Sequence, residues 1–315
     1  MLALGLGIAG TASAAWATPT TPQPGALNYI EGQARIGNQT VTAKSVGSAA
    51  LNGGDVLYTG NGRAEFLLTP GIYMRVGKNS AIRMDSPELT NTRVEVLHGE
   101  AMVEADLLHK EDRILIGERG ATTELEKKGV YDFDADNGTV RVYDGKAEVT
   151  EGDQHKDIGK GKEVLLSQSL KAQKFDRDSA ATSDPLYSWS KLRSEYLAEA
   201  TAATAQTYIV DTGGWYGPGW YWNPWWSMYS FVPGDGFFFS PFGYGFYSPA
   251  FIYRAPVAYP GFYRGIHNGH AFAGGRGFAV GRAPVMRSAP MMGGGFRGGM
   301  MAGGGFHGGM GGGHR

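Results

Sequence analysis

The chain has 315 residues, of which 50 are Gly and none Cys, and a formal net charge of −1. The lack of Cys excludes disulfide scaffolds, thiolate zinc sites and cysteine nucleophiles. Residues 207–315 carry 28 of the Gly and seven Arg against two acids (Asp211, Asp235) and no Lys, so this part is +5 and the remainder −6, and neither charge is large enough to select nucleic acid.

MLALGLGIAG is a short apolar stretch followed by TASAAWA, in which Ala12-Ser13-Ala14 or Ala15-Trp16-Ala17 offers a small-x-small cleavage pattern. Residues 1–17 are therefore expected to be a signal peptide and the protein to be exported, to the periplasm or the outer envelope. Its n-region has no Lys or Arg, which leaves open a start upstream of Met1. TPTTPQPG (18–25) is a stiff polar spacer. No later run of 18 apolar residues predicts a membrane-spanning helix.

Residues 26–177 alternate apolar and polar positions in short runs: AEFLL, IYMRV, AIRM, VEVL, AMVEA, ILI, VYDF, VRVY, AEV and EVLL, with Gly, Asn and Asp between them. Period-two patterning in runs of this length predicts an all-β module. VEVLHGEAMVE (94–104) and VRVYDGKAEVT (140–150) share V-x-V-x-x-G-x-A-x-V, each downstream of a G-[IV]-Y (Gly71, Gly129). The match predicts a duplicated strand-turn-strand unit, with Val94, Val96, Ala101, Val103, Val140, Val142, Ala147 and Val149 inward and Gly99 and Gly145 at the turns. Such a repeat favours a β-solenoid, roll or sandwich over one closed barrel.

GGDVLYTGNGRAEFLLTPGIYMRVGKNSAIRM (53–84) resembles the FecR domain family, through Gly54, Asp55, Thr59, Gly60, Ala64, Leu68, Gly71, Ser80 and Ile82, and the V-x-V-x-x-G around Gly99 continues the likeness to about residue 165. The resemblance implies an extracytoplasmic, solenoid-like β module without catalytic residues. In the best-known members this module is the envelope-side part of a transmembrane regulator that passes an outer-membrane transport signal to a cytoplasmic sigma factor. Within residues 1–315 neither a sigma-regulator domain before the module nor a spanning helix is expected, which departs from that layout.

SDPLYSWSKLRSEYLAEATAATA opens a helix over 183–206, with Asp184 as cap, Pro185 at the first helical position and a stripe of Leu186, Trp189, Leu192, Tyr196 and Ala200 for packing against the β module. The segment 207–253 is aromatic and rich in Pro and Gly. Pro218, Pro224, Pro233, Pro241 and Pro249 break any spanning helix. Trp215, Trp220, Trp222, Trp225, Trp226 and Tyr229 are its contact candidates, to be packed on the module or presented to an envelope component or protein partner. Residues 254–315 form a Gly-rich, low-complexity tail that is expected to be disordered.

Sites of chemistry are sparse. DFDADNG (132–138) has acids at alternate positions, but Gly138 stands seventh and Tyr143 twelfth, where a calcium loop needs Gly sixth and Glu twelfth. Asn137-Gly138 instead predicts a hairpin with its Asp residues facing solvent. His267, His270, His307 and His314 lie in a Gly-rich context without acids. GKGK (159–162) and GGRGFAVG (274–281) miss the phosphate-loop and dinucleotide spacings. No enzyme, metal site or cofactor is expected. The reading is of a non-enzymatic, exported recognition or scaffold module with an aromatic contact segment. The alternatives are an accessory role in envelope signalling through a separate membrane partner and, more remotely, RNA binding by Arg-Gly-Gly fragments at Arg276 and Arg297; no nucleic acid is expected as partner.

Overall fold

The computed structural model describes residues 21–166, 170–210 (209 and 210 by main chain alone) and 217–255. The expected signal peptide, Trp215 and the tail beyond 255 lie outside the described residues. In chain order the module contains β1 (Leu27–Glu31), β2 (Ala34–Ile36), β3 (Gln39–Val41), β4 (Val56–Thr59), β5 (Arg63–Thr69), β6 (Ile72–Val76), β7 (Ala81–Glu88), β8 (Asn91–His98) and β9 (Glu100–Ala105). It continues with β10 (Arg113–Glu118), β11 (Ala121–Leu125), β12 (Gly129–Asp134), β13 (Thr139–Asp144), β14 (Lys146–Glu151), β15 (Gln154–Gly159), β16 (Lys162–Leu165) and β17 (Gln173–Lys174). Two helices follow, α1 (Arg177–Ser183) and α2 (Pro185–Val210), and then the short strands β18 (Gly219–Asn223), β19 (Met228–Val232), β20 (Phe237–Phe239) and β21 (Gly245–Tyr247).

The module's strands form two sheets that share one apolar core. One is eight-stranded in the order β1-β5-β6-β9-β12-β13-β16-β17; the other is nine-stranded in the order β15-β14-β11-β10-β8-β7-β4-β2-β3. Hairpins alternate between them: β5–β6 lies in the first, β7–β8 in the second, β12–β13 in the first and β14–β15 in the second. Period-two alternation sends one side chain of each pair inward. The predicted inward set of Val94, Val96, Ala101, Val103, Val140, Val142, Ala147 and Val149 belongs to the central cluster with Phe66, Ile72, Met74, Ile114 and Phe133.

The repeated motif turns out to be a corner between layers. β8 is in the nine-stranded sheet and β9 in the eight-stranded one, so the chain changes sheet at Gly99; at Gly145 it changes in the opposite sense, from β13 to β14. Both glycines have positive φ, +73° and +102°. A Cβ on Gly99 would meet Ser80 Oγ at 2.3 Å, and one on Gly145 would meet the Tyr131 hydroxyl at 2.3 Å. Only Gly can make these tight corners.

Residues of the family-like motif tie such corners together. Gly54 (φ +89°) and Asp55 close a turn in which Asp55 accepts from the Asn52 amide at 2.9 Å. The buried Thr59 hydroxyl donates to the Gly77 carbonyl at 2.6 Å and accepts from the Ser80 amide at 2.9 Å. Gly60 donates to Gln33, and Ser80 Oγ accepts from the Glu100 amide at 2.9 Å. Gly71 (φ +84°) is packed against Leu107 and Phe231.

The predicted helix is α2. Asp184 caps it, accepting from the Leu186 amide at 2.6 Å, with Pro185 in the first turn. The buried face differs from the expected stripe: Leu192 is 43% exposed, whereas Ser190, Arg193, Ser194, Leu197, Thr201 and Thr204 are buried. Leu186, Trp189 and Ala200 of the expected stripe are buried and Tyr196 is partly so, leaving Leu192 as the one member that faces out; the buried face also takes in polar residues because it lies on charged strands, which an apolar-periodicity reading does not detect. Asp132 is also corrected. The hairpin at 132–138 is real, with Asp134 opposite Thr139 and a four-residue turn between them, but Asp132 is fully buried beneath the helices instead of facing solvent. Among the described residues no helix is long and apolar enough to cross a membrane.

Candidate functional site

The outer face of the eight-stranded sheet presents Glu65, Arg75 and Glu104 on neighbouring strands, opposite to the inward-facing Ala64, Met74 and Val103. Arg75 Nε is 2.8 Å from Glu65 and Nη1 is 2.7 Å from Glu104. From α2, Arg193 Nη2 donates to Glu65 at 2.9 Å and Ser194 Oγ to Glu104 at 2.6 Å. The Arg193 guanidinium also lies 3.9 Å from the centre of the Tyr29 ring. All four ionic side chains are buried. Burial alone would raise the Glu65 carboxyl, but Arg193 and Arg75 outweigh it and hold it down at about 2. Two carboxylates and two guanidinium groups balance, so the helix is fixed to the sheet by a neutral buried network.

The aromatic run completes this platform. GWYWN and MYSFV are β18 and β19, an antiparallel hairpin turned at Pro224–Ser227, with Ser227 at φ +48°. Pro218, Pro224 and Pro233, read from the sequence as breakers, fall in the turn or beside these strands, where they interrupt no ladder. The hairpin lies along the second half of α2, whose small residues allow close approach. Thr201 Oγ1 donates to the Phe231 carbonyl at 3.0 Å, and Asn223 Nδ2 donates to Thr204 at 3.0 Å. The Tyr229 amide donates to Asn28 Oδ1 at 2.7 Å, and Asn28 Nδ2 in turn donates to Glu65 at 3.0 Å.

The nominated contact residues are thereby divided. Tyr229 is 2% exposed, a correction to its assignment as a contact, because its ring packs edge-on to Trp222 at 5.0 Å. Trp222 covers Gly47, where a Cβ would meet its ring at 2.8 Å. Trp226 lies 5.6 Å from Tyr196 of α2, and Trp220 packs with the same apolar cluster. Among the described candidates only Trp225, at the hairpin tip, is open, with 69% of its surface exposed. Gly54, Asp55, Thr59, Gly60, Gly71, Gly99 and Gly145 are turn and corner residues of the module.

No protein-family model matches the chain and no curated protein is similar to it. Two crystal structures of a proposed anti-sigma factor from Parabacteroides distasonis ATCC 8503 are similar in part. Their identities are 14% and 15%, with TM-scores of 0.32 and 0.33, and each covers 40% of this chain. The likeness spans 60% and 62% of those chains, less than two thirds of their length. The FecR resemblance thus rests on the motif residues themselves.

Sequence reasoning missed a second group of rings. In β20 the middle residue Phe238 stacks on Phe246 at 5.1 Å, which by strand alternation turns Phe237 and Phe239 outward together, 42% and 51% exposed. Phe237 stacks on Tyr247 at 5.5 Å and approaches Phe251 at 6.5 Å, and Phe251 stacks on Tyr253, which is 71% exposed. The Arg254 guanidinium lies over both Phe251 and Tyr253. The FFF triplet was the available signal, since any strand placing its middle ring inward must present the other two.

Proposed function

We propose that the chain is a non-enzymatic recognition or scaffold module of the cell envelope, exported by its N-terminal segment, and that its contact surface is the open aromatic face of the segment after α2. The observation that carries this reading is the set of touching rings Phe237, Phe239, Phe251 and Tyr253, with Arg254 beside them, held on a fixed platform. Contiguous exposed apolar surface is the usual mark of a partner or membrane-interface site, and rings with a nearby cation suit a place half apolar and half wet. Trp225 offers a separate single anchor. The small-x-small pattern before residue 18 supports export.

The test is fractionation of cells expressing the full chain and a variant carrying Trp225→Ser, Phe237→Ser, Phe239→Ser and Tyr253→Ser. The reading expects the parent to sediment with the envelope and the variant to be released into the soluble exported fraction with its thermal midpoint retained. If both are soluble and exported, the contact reading fails, and crosslinking in cells then tests whether the chain serves envelope signalling through a separate membrane partner. Retention of the parent in the cytoplasm would remove the export inference.

A further inference from the structure

A second group of charges lies on the outer face of the eight-stranded sheet, away from the rings. Glu100 opens β9, Asp132 lies in β12 and Asp184 joins α1 to α2, and their carboxylate oxygens all stand within 4.8 Å of one another. The sheet register creates this meeting: β9 and β12 are neighbours, with Glu100 opposite Asp134 and Met102 opposite Asp132, and the helix junction is laid over them. Asp132 is fully buried. Arg141 Nη1 reaches its Oδ2 at 3.2 Å, but Oδ1 has no hydrogen-bond donor. Asp184 uses Oδ1 to cap α2, and its Oδ2, also shielded from solvent, has no donor either.

Arg141 is shared with Glu163 at 2.8 Å, so one guanidinium faces four carboxylates. Buried carboxylate oxygens without donors or counter-charge are costly, and a structure that keeps them calls for a bound proton or a further positive group; where three such carboxylates meet, a cation answers them together. The other acidic group, Glu126, Glu148 and Asp157, contains that group itself, because Lys146 Nζ lies 2.7 Å from Glu126 and 2.9 Å from Asp157. Glu100, Asp132 and Asp184 have no such lysine among their contacts.

We propose that Glu100, Asp132 and Asp184 bind a divalent cation, and that the cation is Ca2+. Oxygens coordinate Ca2+ at about 2.3–2.6 Å, so ligands on opposite sides of the ion stand up to about 5 Å apart, a span that holds all three carboxylates. Ca2+ needs further oxygens, and water can supply them from the open cleft of about 460 Å³ that Glu100 and Asp184 line with Arg141 and Glu163. The DFDADNG run does supply one ligand, but the other two come from β9 and the helix junction.

The experiment is calorimetric titration of the full chain, stripped on chelating resin, with CaCl2 and separately with MgCl2. The expected result is one Ca2+ per chain and a rise in the thermal midpoint. Both effects should be lost in Glu100→Gln and in Asp132→Asn and kept in Glu148→Gln. Asp184→Asn should weaken binding while the asparagine still caps α2. Metal-free thermal midpoints establish that each variant folds. Glu100 is only partly buried, so Glu100→Gln decides the matter if Asp132→Asn does not fold. Absence of both heat and midpoint shift at millimolar Ca2+, or binding unchanged in Glu100→Gln, overturns the site. A stronger response to Mg2+ than to Ca2+ overturns the choice of ion.

Discussion

Arg193 of α2 and Glu65 of β5 meet at 2.9 Å with neither side chain more than 2% exposed, and this contact bridges 128 positions of sequence. Its partner Arg75 keeps Glu65 ionised, so removing Arg193 leaves a buried carboxylate short of a donor. Arg193→Met is expected to destabilise the fold by about 3–5 kcal/mol, measured as a lowered urea midpoint. A loss within about 0.5 kcal/mol would mean that the helix is held by its apolar contacts alone.

The same carboxyl sets an acid limit. Its folded-state value is depressed to about 2 from 4.5, so its contribution is fully present above pH 4.5 and is lost as pH falls toward 2. At about 1.4 kcal/mol per unit this is on the order of 3 kcal/mol. Urea midpoints of the parent taken between pH 5 and 2 should fall steeply, and the slope should be shallower in Arg193→Met.

Glu118 should behave in the opposite sense. It follows Ile114 and Ile116 on the inward side of β10, is 2% exposed, and neither carboxylate oxygen has a hydrogen-bond partner. Burial, with a smaller push from Asp134, raises it from 4.5 to about 8. Its protonated form fits the fold, so stability present below pH 4.5 is lost as pH rises toward 8. Glu118→Gln is therefore expected to gain on the parent progressively across that window, with a ceiling of about 5 kcal/mol. Thermal midpoints at the two ends of the range give the measurement, and a gain independent of pH would disprove the assignment.

Alanine at the glycines should separate backbone strain from collision. Gly54 has φ +89° with open space around a Cβ, so Gly54→Ala is expected to lose about 1–2 kcal/mol. Gly145→Ala adds contacts at 2.3 Å with the Tyr131 hydroxyl and 2.8 Å with the Lys128 carbonyl, and should lose clearly more. Equal losses by chemical denaturation would show that the corner can relax.

Two neighbouring tryptophans should differ. Trp225→Ala removes an exposed ring and is expected to change stability by no more than about 0.5 kcal/mol. Trp222→Ala uncovers Gly47 and Tyr229 and should cost about 3 kcal/mol, read as a lower thermal midpoint.

Most of the β module was legible because its strands have one dry and one polar face, and ten of the runs picked out by alternation fall in β5 to β10, β12 to β14 and β16. What escaped depends on long-range cover. Asp132 has the local setting of a solvent-facing hairpin acid, and only a helix that begins some fifty residues later makes it a buried one. Leu192 was misplaced because the face of α2 that meets charged strands is itself polar. Phe237 and Phe239 were overlooked beside the denser tryptophan run, whose rings largely serve packing. The FFF triplet marks a strand that must present two of its rings, but no local pattern announces that the platform will cover the tryptophan run.

The link from Tyr229 to Asn28 spans 201 positions and joins the first strand to the last large hairpin. A nascent chain therefore cannot close the network around Glu65 until residue 229 is available, and every shorter product leaves the polar groups of β1 waiting for a partner. Removing the residues after Gln206 would accordingly open the platform as well as delete the rings, so the architecture makes its own C-terminal half a condition of finishing the N-terminal one.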